Sequence, residues 1–377
     1  MSCSERRTKM IDNLAIKNFK CFENLSVELS NLNVFAGINS MGKSSVIQAI
    51  LLLRQAYEMG TLTKGLHLNG DLTQIGTGYD LMYRNSAQDE VSIDVSTEGN
   101  TYTWNYKYNK DSDYQEIKST NLTQSDVDKI NIFAPTFSYI SAERIGPQRY
   151  YKQSYHEIYE KNQVGFRGEL FADYLAKRGL TDKVENKKVL FNDETDEHLL
   201  YQTQEWLSVI SPGIHINPRQ YQEAGLVGIE YRVYGSDYTP VNVGFGLSYV
   251  VPIIVSLLKA KSDDLVIIEN PEAHLHPKGQ RKMGELIARA AAGGVQIILE
   301  THSDHILNGI RLSVKTGVIS RNNIRLNYFY QKVDPILALG EIVTHQKCSP
   351  VILDDGSLSD WPDGFFDEWD KALDELF

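Results

Sequence analysis

Gly37-Ile38-Asn39-Ser40-Met41-Gly42-Lys43-Ser44 sets two glycines, a lysine and a hydroxyl at the spacing G-x-x-x-x-G-K-[ST]. The chemistry of that set is phosphate binding. Its glycines let the backbone turn until free N–H groups converge on one anion, Lys43 neutralises the β- and γ-phosphates, and the Ser44 hydroxyl ligates Mg²⁺. With the neighbours in and after the turn, the expected binding set is Gly37, Asn39, Ser40, Gly42, Lys43, Ser44 and Ser45. An acid joins this set at Glu269, which closes the apolar run Leu265-Val266-Ile267-Ile268. A carboxylate there suits a Mg²⁺ beside the phosphates. A chance acid ending a buried strand is the plainer alternative. A nucleotide's phosphates and Mg²⁺ are thus the expected ligands, with Ser44 and Glu269 on the metal.

These groups need elements that hold them. Leu32-Asn33-Val34-Phe35-Ala36 is a short apolar strand and the run from Ser45 to Leu53 a helix, so the glycine turn opens a helix N-terminus. Residues 14–22 alternate before a strand at 25–29, and 90–96 and 101–108 alternate around Glu98-Gly99-Asn100, which reads as a hairpin. From 111 to about 225 the composition turns polar and aromatic, with helical patterns at 168–177 and 198–210. Beyond it come strands at 227–233, 265–268 and 295–299 and helices at 247–260, at 278–292 and after Thr301. Strands alternating with helices imply parallel strands and crossover helices. The expected layout is an ATPase head in two halves, 10–110 and 225–345, with a lid lobe inserted at 111–224 and an acidic amphipathic tail at 346–377.

Composition narrows the class further. The chain has 377 residues, 42% hydrophobic and 10% aromatic, and no apolar run near the roughly 18 residues a membrane span needs. Three cysteines without metal spacing, and no apolar stretch behind the N-terminal charges, point to the cytoplasm. The net charge of −11 argues against wholesale wrapping of nucleic acid. Nine acids against one base lie from Val351 to Phe377, so the remainder is nearly neutral. Within that remainder Arg311, Lys315, Arg321, Arg325 and Lys332 form an acid-free run, readable as a solvated face or as a DNA- or partner-binding stripe. Arg144 and Arg149, beside a turn, reach phosphate or DNA on one reading and are ordinary loop residues on the other. His274 and His276 stand two apart, a spacing that suits zinc poorly.

An alternating strand at 16–22, the phosphate loop, Glu269 running into Asn270-Pro271-Glu272-Ala273-His274-Leu275-His276-Pro277, and Glu300-Thr301-His302-Ser303 together resemble the ABC-type ATPases of the SMC, RecF and OLD group. More narrowly, they are similar to its compact bacterial members without a Toprim domain, many of them in anti-phage defence. The resemblance covers both ends of the chain and little of the middle. It implies an α/β P-loop NTPase of ABC/RecF type, a mixed sheet with flanking helices, with ATP and Mg²⁺ as cofactors. It also implies a γ-phosphate-sensing role for His302, an interface loop at Ala273–Pro277, and a glutamine at Gln74 touching Mg²⁺ and the attacking water. Lys17 and Phe19 fall on the adenine side by the same likeness and read equally well as strand residues. Asn242-Val243-Gly244-Phe245-Gly246-Leu247-Ser248 is similar to the ABC signature, in which Gly244, Gly246 and Ser248 would clamp the γ-phosphate held by a second protomer. A Gly-rich turn before a helix is an anion site in its own right, and a plain cap otherwise.

One departure carries weight. Where the group places its water-polarising glutamate, this chain has Asn270, which cannot take a proton. Either Glu272 does that work, with His302 and Gln74, or hydrolysis is slow. The expected function is an ATP-binding, slowly hydrolysing ATPase that dimerises, or assembles further, through composite ATP sites and regulates a separate effector such as a nuclease. The alternatives are a RecF-like DNA-binding repair or loading ATPase and a nucleotide-dependent scaffold with negligible turnover.

Overall fold

A computed structural model describes residues 8–192, 196–336, 340–366 and 368–376. The chain forms two compact units, each built from separated stretches. The first comprises 1–134, 325–351 and 360–377, and the second 135–324 and 352–359. This division cuts the 111–224 segment at Ala134. Residues 111–134, with the strand Tyr114–Thr120, belong to the first unit, while 135–224 fold into the second.

In the first unit an antiparallel sheet runs in the order Phe22–Glu28, Asn13–Phe19, Glu90–Thr97, Asn100–Lys107, Tyr114–Thr120, Gly65–His67. Alternation in the sequence becomes alternation of burial: Leu14, Ile16, Val91, Ile93 and Val95 are buried with Trp104 and Tyr106. The expected hairpin turns at Glu98 and Gly99, whose φ angles of 45° and 84° fit a tight two-residue loop. The strand Leu32–Gly37 lies beside Ile324–Ile336, which pairs antiparallel with Gly340–Cys348. The helix Lys43–Glu58 follows the phosphate loop and is buried from Val46 to Ala56 on nearly every side except Gln48. Arg54 anchors its far end, donating to the carbonyls of Ile132 and Ala134.

The second unit is organised on three parallel strands, Ser138–Ile140, Leu265–Glu269 and Gln296–Glu300. Their residues are apolar on both faces, as expected where helices cover both sides. The helices Pro277–Ala292 and Asp304–Lys315 approach closely at Gly284 and Gly309, where any Cβ would meet backbone at 2.3 Å and 2.2 Å. The helix Phe245–Lys259 is almost entirely apolar and buried. A smaller antiparallel sheet joins Ile214–Tyr221, Leu226–Val233, Ser236–Tyr238 and Tyr151–Lys152. Helices Phe171–Arg178 and Leu199–Ile210 complete the unit. Among the described residues no helix is long and apolar enough to cross a membrane.

Candidate nucleotide site

The candidate residues fall into two sets, one in each unit. In the first unit the phosphate loop is shaped by close packing beneath it. Gly37 has φ 140° and a Cβ there would sit 2.4 Å from the Phe329 carbonyl oxygen. Gly42 has φ 100° and would strike the Phe22 ring at 2.3 Å. Both positions therefore need glycine for conformation and for space. Ile38, Asn39 and Ser40 are exposed at the loop's crest, and so is Ser44. Lys43 is buried, its ammonium donating to the carbonyls of Gly37 at 2.7 Å and Ile38 at 3.0 Å. Ser45 is buried with its hydroxyl 3.8 Å from the Cys21 sulfur, a place in the packing of the loop's base. An ammonium, an exposed hydroxyl and the N-terminus of a 16-residue helix whose N-cap is glycine form a donor set that suits a polyphosphate with its Mg²⁺.

Gln74 is exposed on a loop whose course is set by the phosphate-loop helix. The buried Gln55 carboxamide donates to the His67 carbonyl and accepts from the N–H groups of Leu72 and Thr73. Nothing in the spacing of the sequence marks Gln55 for that task. Phe19 is a fully buried core residue and Lys17 is exposed.

In the second unit the strand 265–269 delivers Glu269 to a turn with several fixed points. One Glu269 oxygen accepts the Ala142 N–H at 3.0 Å, and the Tyr139 hydroxyl also bonds the carboxylate. Burial pushes the Glu269 carboxyl up, and those two donors with the nearby Arg144 charge hold it down in part. Asn270 adopts φ 46° and its N–H reaches the Glu300 carbonyl. Its side-chain oxygen is buried with no hydrogen-bond partner among the described residues. Glu272 spends both oxygens on the neighbouring strand end: one accepts the Thr301 hydroxyl at 2.8 Å, the other the His302 N–H at 2.7 Å. The His302 ring side is exposed. Glu272, Thr301 and His302 thus form one connected group.

Arg144, for which the sequence left a phosphate or DNA contact and an ordinary loop position both open, is buried. Its guanidinium donates to the carbonyls of Ser141, Glu269 and Asn270 and lies 5.2 Å from the centre of the Tyr249 ring. Burial lowers it to about 10. Arg149 remains exposed. Tyr249 also meets His274 edge-on at 4.8 Å, and His276 caps the helix Pro277–Ala292 by accepting the Lys278 N–H. The two histidines therefore serve packing and capping.

The helix Phe245–Lys259 begins with Gly244 as N-cap, and no side chain caps it. Gly246 leaves room for the His274 carbonyl, which a Cβ would meet at 2.6 Å. Ser248 departs from its expected place at the clamp. It sits in the first turn facing inward, fully buried near Tyr151 and Tyr231, because the helix starts at Phe245 and that register turns position 248 to the core. Two members of the basic run are engaged within the second unit: Arg311 donates to the Gly356 carbonyl and Arg321 pairs with Asp354. In the tail, Phe365 is buried against Tyr328 and Leu376 is exposed.

Comparison with known proteins bears on this arrangement. Residues 32–308, well over half of the chain, match the family model described as "AAA domain, putative AbiEii toxin, Type IV TA system". Residues 319–376 match a model described as a protein of unknown function. An uncharacterized protein of Methanocaldococcus jannaschii is 36% identical over 89 residues, which cover 22% of this chain and 41% of that relative. The match thus spans roughly two-fifths of that curated relative's length. Among solved structures, the Smc head bound to the C-winged helix domain of ScpA aligns at TM-score 0.50 and 13% identity, covering 90% of this chain and 98% of that one. The Smc head domain with an extended coiled coil bound to the C-terminal domain of ScpA, from Pyrococcus furiosus, aligns at TM-score 0.50 and 12% identity, covering 98% and 100%. At such identities the likeness is one of fold. The chain belongs to this AAA-domain family, and its fold is that of an ABC-type P-loop ATPase head.

Proposed function

We propose that this protein binds Mg²⁺·ATP, hydrolyses it slowly, and uses the bound nucleotide to hold two copies together while it regulates a separate effector. Lys43 and the N-terminus of the 43–58 helix would bind the phosphates, with Ser44 and Glu269 on the metal. Bound Mg²⁺ would supply charge neutralisation at the phosphate oxygens. The observation that carries the slow-clamp reading is the state of the acid turn. Asn270 cannot accept a proton, and both oxygens of Glu272 are committed to Thr301 and His302. Glu272 then positions the His302 turn instead of activating water.

The toxin–antitoxin system named in the family description supports an effector-linked role, and defence against phage is the setting we favour. The engagement of Arg311 and Arg321 within their own unit speaks against a DNA-binding stripe there.

Gly244 offers a test that leaves folding intact. A Cβ at this position meets nothing within 4 Å, and aspartate is a strong N-cap, so Gly244→Asp should keep or raise stability. The added carboxylate would repel a phosphate brought by a second copy. Sedimentation of the wild type should show Mg²⁺·ATP-dependent dimers that Gly244→Asp abolishes. Dimers that persist in the variant would contradict the composite site. Co-purification with the product of the neighbouring gene tests the effector.

A further inference from the structure

We infer that Arg144 is a positioning residue that ties the start of the 245–259 helix to the acid turn at Glu269 and Asn270, so that nucleotide at the turn is reported to the Gly244–Tyr249 end of that helix. The inference rests on the nucleotide-binding reading above and adds a route for its regulation.

The geometry argues for a specific tie. Arg144 donates to the Glu269 carbonyl at 2.7 Å and the Asn270 carbonyl at 2.6 Å, two consecutive groups of one turn, and to the Ser141 carbonyl at 2.9 Å. A planar guanidinium spans such a pair with two nitrogens, whereas an ammonium offers a single point of contact. Its other side lies over Tyr249, one turn into the helix whose N-cap is Gly244. Tyr249 in turn meets the ring of His274, whose carbonyl backs Gly246. The chain of contacts therefore runs from the carboxylate strand end, through one buried cation, to both sides of the glycine turn.

Burying a cation costs several kcal/mol, and a turn can be pinned by neutral groups at lower cost. Arg144 is held by carbonyl oxygens, and the charges nearest to it are Glu269 and Glu272 on the acid turn. A shift of that turn changes the carbonyls that hold the guanidinium, and the ring stacked on it moves with it. Packed groups of this kind transmit small displacements because they rearrange as a unit.

Amide hydrogen exchange on the full chain, with and without Mg²⁺·ATP, reads both halves of the claim in one experiment. In the wild type, nucleotide should slow exchange at 37–45 and at 244–250 by tenfold or more. Arg144→Lys keeps the charge and loses the fork; it should retain protection at 37–45 and lose it at 244–250. Tyr249→Leu should behave the same way, and Tyr249→Phe like the wild type. This second pair decides the matter if Arg144→Lys loosens the unit before nucleotide is added. Protection at 244–250 that survives Arg144→Lys and Tyr249→Leu, or is missing from the wild type while 37–45 is protected, would overturn the inference alone. No protection at 37–45 would overturn the nucleotide-binding reading and this inference with it.

Discussion

Glu272 accepts a 2.8 Å hydrogen bond from the Thr301 hydroxyl, joining the residue three positions past the carboxylate strand to the end of the next parallel strand. With the His302 N–H on its other oxygen, the Glu272 carboxylate fixes the backbone that carries the His302 ring. Removing the hydroxyl leaves a carboxylate oxygen short of a donor. Thr301→Val should cost about 1–3 kcal/mol in denaturant unfolding, while Thr301→Ser stays near the wild type. Equal stability of the two variants would show that the bond does not hold the turn.

The glycines of the phosphate loop differ in how their replacement can be relieved. At Gly37 the obstacle is the Phe329 carbonyl, part of the backbone. At Gly42 it is the Phe22 ring and the Cys21 sulfur, both side-chain atoms. Each Gly→Ala substitution should cost roughly 1–3 kcal/mol or more from strain and overlap. Phe22→Leu should restore thermal stability in part to Gly42→Ala and none to Gly37→Ala. Rescue of neither would place the cost in the φ angle alone.

Much of this was legible in the sequence because it depends on local pattern. The phosphate loop, the 98–99 hairpin turn and the buried strands 265–269 and 296–300 announce themselves by glycine spacing, alternation and apolar runs. Ser138–Ile140 does not: at three residues it is too short to show a period, yet it pairs with the carboxylate strand. Arg144 follows that strand, so its burial could not be foreseen without it. Ser248 was misplaced for a different reason. Gly-x-Gly-x-Ser fixes a turn, but the residue at which the helix begins decides which face the serine takes.

On the function we propose, Asn270 takes the place of a proton acceptor, and its side-chain oxygen is buried without a partner among the described residues. Asn270→Glu should raise Mg²⁺·ATP turnover by roughly 100-fold or more, within the range for a positioned general base. Phosphate release under single-turnover conditions measures it. Unchanged turnover would place the limit elsewhere than water activation.

Lys259 ends the 245–259 helix with its ammonium donating to the Asn162 carbonyl, and burial lowers its pKa from 10.5 to about 8. Between those values the unfolded chain binds more protons at this lysine than the folded one. Stability from this group therefore rises with pH from about 8 to 10.5, by up to about 3 kcal/mol. Lys259→Met should flatten that rise in pH-dependent unfolding, and an unchanged pH slope would assign it to other groups.

The central claim is that the turn from Gly37 to Ser44 holds the phosphates of ATP, and the affinity of Lys43→Ala for Mg²⁺·ATP tests it most directly. Titration calorimetry on the wild type and the variant should show affinity falling by roughly 100-fold, or about 2.7 kcal/mol, with the variant still folded. Equal affinity in the two proteins would contradict the account.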